Sequence, residues 1–395
     1  MSMSTIPELL APAGNLEKLQ IAFAHGADAV YVGGHVFGLR KYADNFTDAQ
    51  LERGIQMANE QGKSVYVILN GMAHHSDLGP IASYLSTLQR LGPHGLIIAD
   101  RGVFELAKQH TNLPLHVSTQ ACITNAHAAL SWVKAGASRL ILAREVSLSE
   151  CQEIHDVTGT ELEIFVHGAM CASYSGKCVI SNYSVGRDSN RGGCIQSCRH
   201  PYQFQEQAPT HMMNAKDLNA LSLLPQICKA PIASIKVEGR MKSNLYLANV
   251  VASYRHALDA IASGEHQAFQ DQKDTLNQQL SSVSNRTFST GGLTQRPAQE
   301  SVLANFNGYN KSAVFVGTVK AISSDGQPFI SLKTEIHKGD QLTVLSQTGR
   351  RYLLDVTNMQ TPNGTPLSSA RANQLVKVQA SGPFQRFDVV QKTLT

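Results

Sequence analysis

The sequence predicts an α/β protein, a TIM-like (β/α)8 barrel followed by a small antiparallel β-barrel, on two observations. Through roughly the first 250 residues, continuous apolar runs alternate with amphipathic stretches at intervals of roughly 20–35 residues, as βα units on a parallel sheet do. From about Lys311 the texture changes to short strands divided by turn signals such as SSDGQ, HKGD, QTGR and TPNGT, as in small antiparallel barrels.

In order, the candidate barrel strands are ELLAP (8–12), AVYVG (29–33), VYVIL (65–69), GLIIA (95–99), LHVST (115–119), RLILA (139–143) and LEIFV (162–166). Between them lie helical patterns, among them NLEKLQIAFAHG, AQLERGIQMANEQG, HAALSWVKAG and SLSECQEIHDVTG, several closed by the glycine that commonly ends a helix. HMMNA (211–215) and ASIKVEG (233–239) bring the strand count to eight or nine, enough to close a barrel, and the long helix SNLYLANVVASYRHALDAIA follows. A doubly wound open sheet is the rival, but no G-x-G-x-x-G follows the first strand. The stretch that follows is polar and Gln-rich (GEHQAFQDQKDTLNQQL) and shows no strand pattern. The expected partition is therefore a barrel over 1–262 with a Cys-rich loop at 168–200, a helical and linker segment over 263–310, and a β domain over 311–395. The strands of that last domain are AVFVGTVKAI, PFISLKT, DQLTVLSQ, RRYLLDVTNM, QLVKVQA and FDVVQK.

Composition narrows the class. The chain is 42% hydrophobic and 16% charged with a net charge of +4, values of an ordinary globular protein. The opening MSMSTIPELL lacks the basic-then-apolar profile of a signal peptide, and no apolar stretch approaches the length of a membrane span. A cytoplasmic protein with no membrane partner is the expectation, in a compartment where thiols stay reduced. Residues 312–395 hold nine Lys or Arg against five Asp or Glu. That balance is compatible with RNA, although a solvated face is the plainer reading of any single lysine.

Cys171, Cys178, Cys194 and Cys198 stand together, with gaps of six, fifteen and three residues between them, directly after the apolar run ELEIFVHG. The residues between them are rich in Gly, Ser, Asn and Arg and read as loop. Thiols gathered on a loop at a strand end suit a soft metal centre. Seven Cys in 395 residues is far from disulfide-scaffold density. The spacing matches neither the paired C-x2-C of structural zinc nor a ferredoxin run, so it leaves zinc and iron–sulfur equally open. Cys122, Cys151 and Cys228 lie in or beside apolar segments and read as small buried hydrophobes.

In (β/α)8 proteins the chemistry collects at the carboxyl ends of the strands. Those ends offer Asn70, Asp100, Gln120, Arg144, Glu145, His167, Lys216, Asp217, Glu238 and Arg240. The excess of cations there (Arg144, Lys216, Lys236, Arg240) points to an anionic ligand. Each also has an ordinary structural role open to it: a turn and N-cap for Lys216–Asp217, a rim ion pair for Arg144–Glu145. Neither H-E-x-x-H nor G-x-S-x-G occurs. His74–His75 sits in the loop-like AHHSDLGP and is expected to face solvent.

The string EIFVHGAMCASYSGKCVIS at Glu163–Ser181 resembles the signature of the collagenase-like peptidase family U-32, carried here by Glu163, Phe165, Gly168, Ala169, Met170, Cys171, Gly176, Cys178 and Ser181. ELLAPAGNLEKL, GADAVYVGG, SIKVEGRMKS and NRTFSTGGL resemble the same family, so the likeness spans most of the chain. The family name implies proteolysis. Several bacterial members, however, are iron–sulfur proteins that support oxygen-independent hydroxylation of tRNA wobble uridine, of ribosomal RNA or of ubiquinone precursors. The compact fourth cysteine and the added β domain resemble the tRNA-modifying branch, in which prephenate is implicated as hydroxyl donor. This chain lacks a long insert before HMMNAKDL that some members carry.

The resemblance implies a 4Fe-4S cluster on Cys171, Cys178, Cys194 and Cys198, with zinc as the alternative and Cys228 as the second choice of ligand. It implies 5-hydroxyuridine formation in tRNA, with tRNA and a small anion such as prephenate as partners. Arg144, Lys236, Glu238 and Arg240 are the expected substrate-binding residues. His167, Lys216 and Asp217 are the expected catalytic ones, His167 as a proton-transfer group. Arg187, Arg191, Arg199 and the basic C-terminal domain would steer RNA. A collagenase-like peptidase and a zinc-stabilised scaffold binding RNA or protein are the competing readings.

Overall fold

A computed structural model describes residues 6–35, 37, 44–264 and 266–394; the MSMST of the opening read above for a leader lies outside them. The chain forms two compact units. One is built from the residues up to Leu19, Asp28–Met241 and Arg286–Gly308, the other from Gln20–Ala27, Lys242–Asn285 and the residues from Tyr309 on.

The first unit holds a closed, wholly parallel barrel of eight strands. These are β1 (Glu8–Ala13), β2 (Ala29–Gly33), β3 (Ser64–Leu69), β4 (Gly95–Ile98), β5 (Leu115–Val117), β6 (Arg139–Ile141) and β7 (Glu161–Gly168), then, past β8 (Asp217–Asn219), β9 (Ser234–Val237). Neighbours in sequence pair in parallel from β1 to β7, and β9 pairs with both β7 and β1 to close the ring. Strands covered on both faces are largely apolar, and every residue of AVYVG in β2 is buried. The helices are α1 (Leu16–Ala24), α2 (Asp48–Glu60), α3 (Leu78–Leu91), α4 (Arg101–His110), α5 (Ala126–Ala135), α6 (Leu148–Thr158), α7 (Ile180–Val185) and α8 (Leu224–Ile227). Their starts follow the capping rules: Thr47 with Gln50 and Ser147 with Glu150 form capping boxes, and Asp100 and Asn125 accept from the third helical N–H.

Three expectations change. HMMNA (211–215) is not a strand: its residues make a turn in which the Asn214 N–H donates to the His211 carbonyl, and β8 begins only at Asp217. β8 also stands outside the ring, antiparallel to β7 and parallel to the two-residue β10 (Phe288–Ser289), within a stretch read as linker. The thiol-bearing stretch is not all loop, since α7 forms between Cys178 and Cys194.

The second unit contains α9 (Asn244–Ala262) and α10 (His266–Ser282) with an antiparallel sheet. Its strands are β11 (Ala313–Ile322), β12 (Pro328–Leu332), β13 (Ile336–His337), β14 (Gln341–Leu345) and β15 (Arg351–Asp355), followed by β16 (Asn358–Gln360), β17 (Pro366–Leu367), β18 (Ser369–Ala370), β19 (Leu375–Gln379) and β20 (Val389–Thr393). The order is β15-β14-β20-β11-β12-β19-β16-β17, with β13 and β18 a separate pair. The sheet curls around a core that includes Val316, Val319, Ile330, Val344, Val376 and Val390. Among the described residues, no helix is long and apolar enough to cross a membrane.

Candidate active site

The thiols are carried by the excursion between β7 and β8, and side chains tie that excursion down. Arg191 donates through Nη1 to the Met72 carbonyl at 2.7 Å and pairs with Asp77 at 2.6 Å, which fixes it to the segment after β3. The hydrogen bond from Arg191 holds the Asp77 carboxyl below its ordinary range. Asn190 donates through Nδ2 to the Cys178 carbonyl at 2.9 Å. The Ser197 hydroxyl meets those of Ser181 and Ser184 at 3.2 and 2.9 Å. Gly176 has φ +71°, and the space a Cβ would need there is filled by the Gln120 carbonyl, so the loop lies directly on the end of β5.

Cys171, Cys178, Cys194 and Cys198 all line one cavity of about 170 Å3 at the carboxyl ends of the barrel strands. Cys171 and Cys194 are exposed, the other two partly buried. The Gln196 N–H donates to the Cys194 sulfur at 3.4 Å. Burial pushes the Cys198 thiol up, and the neighbouring Cys171 and Cys194 add to the rise, against Arg199 and a backbone N–H from Ala172. A partly buried thiol beside three others, with N–H groups aimed at the Cys194 and Cys198 sulfurs, belongs to a donor set that a positive metal centre would complete. A single tetrahedral ion with Zn–S bonds of about 2.3 Å holds its sulfurs about 3.8 Å apart. Among the described residues, no three or more His, Cys, Asp or Glu gather in that way. Four thiols lining one cavity are the kind of donor set that a soft metal centre takes.

The same cavity is lined by Arg144, Lys236, Glu238, Arg240 and Arg199. The Arg144 guanidinium carbon stands over Phe165, 4.1 Å from the ring centre, with Nη2 3.5 Å from Glu238. Its side chain is 8% exposed, and its Nε has no hydrogen-bond partner among the described residues. A buried donor left in this state favours an incoming acceptor. Lys236 stands 4.4 Å above the Tyr31 ring and donates to Glu163 at 2.7 Å. Arg240, 4% exposed, donates to the Asn45 amide oxygen at 2.7 Å.

Below the cavity a charged ladder runs through the barrel. Glu163, fully buried, takes Lys236 on one oxygen and Arg139 on the other at 3.5 Å, and Arg139 also reaches Glu8 at 2.7 Å and Glu161 at 2.8 Å. Tyr66 and Ser234 donate to Glu8 at 2.7 and 2.9 Å. Burial opposes the Arg139 charge, but Glu8 and Glu163 outweigh it and raise its pKa. Beside Tyr66, burial and then the charges of Arg139 and Lys236 push His116 down to about 3, so it is neutral.

The residues expected from sequence thus divide. The four thiols, Arg144, Lys236, Glu238 and Arg240 come together, and Asn70 and Gln120 join them. His167 and Asp217 do not line the cavity. Two residues of β7 oppose one of β9 between Phe165 and His167, and this bulge turns His167 out of the alternation, with its ring packed on Phe288 at 5.4 Å. Asp217 is locked to Arg286, which is 1% exposed, through Nε at 2.9 Å and Nη2 at 2.6 Å. Lys216 lines a second cavity, and Asp100 caps α4. Of the cations expected to steer RNA, Arg187 is exposed while Arg191 is committed to Asp77. Glu163 was legible only as part of a motif, and its pairing with Arg139 and Lys236 was missed. The available signal was charge inside apolar runs (LEIFV, SIKV), where both faces of a strand are covered and an ion must find a partner.

Comparison with known proteins reaches both units. The tRNA hydroxylation protein P1 of Bacillus subtilis is 37% identical over 402 residues, covering 98% of this chain and 94% of its own. The tRNA hydroxylation protein P of Escherichia coli is 32% identical over 87% of each chain. A protein named collagenase from Porphyromonas gingivalis is 26% identical over 96% of this chain and 98% of its own. Residues 14–303 match the description of peptidase family U32, and residues 311–390 match that of the peptidase family U32 C-terminal domain. With the thiol-bearing signature, both domain matches and identities above 30% along most of the sequence, this chain belongs to peptidase family U32.

Proposed function

We propose that this protein is an RNA-modifying enzyme that hydroxylates the wobble uridine of tRNA at C5 without molecular oxygen. The observation that carries the reading is the gathering of four thiols and four cations on one barrel-mouth cavity, in a chain whose relatives are named for tRNA hydroxylation. Cys171, Cys178, Cys194 and Cys198 would hold a 4Fe-4S cluster, which supplies one-electron chemistry when bound. Arg144 offers its Nε to a carboxylate of a small anionic co-substrate such as prephenate, and Glu238 and Phe165 hold its guanidinium in place. Lys236, ordered by Glu163, adds positive charge to the cavity, and Arg240 does so from its hold on Asn45. Four cations against the carboxylates of Glu238 and Glu163 leave the cavity suited to a dianion.

Mass analysis of tRNA nucleosides from a deletion strain tests the reaction. Loss of 5-hydroxyuridine and its derivatives is expected, and an unchanged level in a strain lacking paralogues refutes it. Anaerobic purification with a metal count tests the centre. About four irons per chain are expected, and one zinc with no iron would point to the scaffold reading.

A further inference from the structure

The thiol segment separates two spaces. Residues Cys171–Tyr174 and Arg144 line the 170 Å3 cavity on one side and a second cavity of about 540 Å3 on the other. The far wall of the second cavity is built by Lys216 and by the segment from Ser289 to Pro297. Gly292 packs on the Arg144 carbonyl, where a Cβ has no room, which holds that wall against the mouth. Ligand pockets for drug-sized molecules run to about 300–1,000 Å3. The second cavity can therefore take a nucleotide, and the first only something smaller.

The lining matches a nucleotide in kind. The Lys216 ammonium makes no hydrogen bond or ion pair with any described residue, although its backbone is fixed by the Ser301 carbonyl at 2.9 Å. Arg296 is 85% exposed and 3.9 Å from Glu150, a loose contact that a phosphate would outcompete. Tyr174 is 60% exposed at the shared wall, and Tyr174, Tyr183 and Phe204 are the exposed aromatic residues among the described part of the barrel unit. All three fall within the thiol-bearing excursion. An exposed ring beside cations that are unpaired or only loosely paired is how unpaired nucleotides are held, by stacking and by phosphate contact.

We propose that the second cavity is the pocket for an unpaired ribonucleotide, with Lys216 and Arg296 on its phosphates and Tyr174 under its base. The small anion then occupies the first cavity, and the Cys171–Tyr174 wall meets both. This assignment rests on the RNA reading above, and the test separates the two. Binding of a fluorescein-labelled RNA hairpin with a uridine in its loop is followed by anisotropy at several salt concentrations, using the full chain. Lys216→Ala is expected to weaken binding about tenfold and to lower the slope of log affinity against log salt by about 1. Lys216→Arg should restore both. Tyr174→Ala is expected to weaken binding about tenfold with the slope unchanged, and at an exposed position it leaves the core intact. If wild type binds the hairpin and Lys216→Ala matches it in affinity and slope, the pocket assignment is wrong while the RNA reading stands. If wild type does not bind the hairpin at any salt, the RNA reading itself fails.

Discussion

Replacing Glu163 by Gln removes one negative charge from the buried ladder and changes almost nothing in shape. The residue is fully buried, and its partner Lys236 is 5% exposed with Nζ 2.7 Å away. At an effective dielectric constant of about 20, that pair is worth about 6 kcal/mol of Coulomb energy. Arg139 retains Glu8 at 2.7 Å and Glu161 at 2.8 Å, so the loss falls on Lys236, which keeps the rings of Tyr31 and Phe165 but loses its carboxylate. Breaking a buried pair from one side costs about 3–5 kcal/mol, because the remaining charge is stranded. Urea unfolding of the full chain, read from its single tryptophan, gives the measurement. That residue, Trp132 on α5, packs edge-on to Phe104 at 5.3 Å and so reports on the barrel unit. Glu163→Gln should lose about 3–5 kcal/mol, and Glu163→Gln with Lys236→Met should regain most of it, since no charge is then left unpaired. A single-variant loss below about 1 kcal/mol, or a double variant no better than the single, would refute the reasoning.

The other predictions concern pH, the thiols and the second buried pair. His116 titrates at about 3 in the folded barrel, chiefly through burial, and near 6.5 when unfolded. The unfolded chain therefore binds a proton that the barrel refuses, and stability falls as pH drops below 6.5, by about 2 kcal/mol between pH 7 and pH 5. His116→Gln should flatten that part of the profile, and an unaltered slope would remove His116 as its source. Serine at Cys171, Cys178, Cys194 or Cys198 should abolish iron retention in anaerobic preparations, whereas Cys228→Ser should keep it; full iron in Cys198→Ser would sink the compact ligand set. Asp217→Ala should cost about 3–5 kcal/mol by stranding Arg286, with a matching drop in melting temperature. A normal melting temperature with lost activity would instead restore Asp217 as a catalytic group.

What the sequence revealed, and what it hid, follows from the range of the interactions involved. AVYVG and VYVIL could be read as strands because burial on both faces favours a continuous apolar run. The thiols could be read as a site because their placement after β7 follows from chain order alone. His167 could not, because a one-residue bulge against β9 decides where it points, and that pairing joins positions about seventy residues apart. Asp217 misled for a similar reason: its partner Arg286 is as distant along the chain, in a stretch without strand pattern. HMMNA carried the apolar weight of a strand, yet Asn214 is held by Arg286 rather than by a neighbouring strand.

β7 and β9 are adjacent staves of the ring, although the whole thiol excursion and β8 lie between them in sequence. The chain thus leaves the barrel and returns one position further round, so the insertion is modular. Apart from the contacts that tie it to the ring, extra length in it costs only loop closure, about 0.6 kcal/mol for each doubling. Lengthening or trimming the residues beyond Arg199 is consequently a permissive route by which the same ring could be fitted to RNAs of different shape, with the register of its eight strands left untouched.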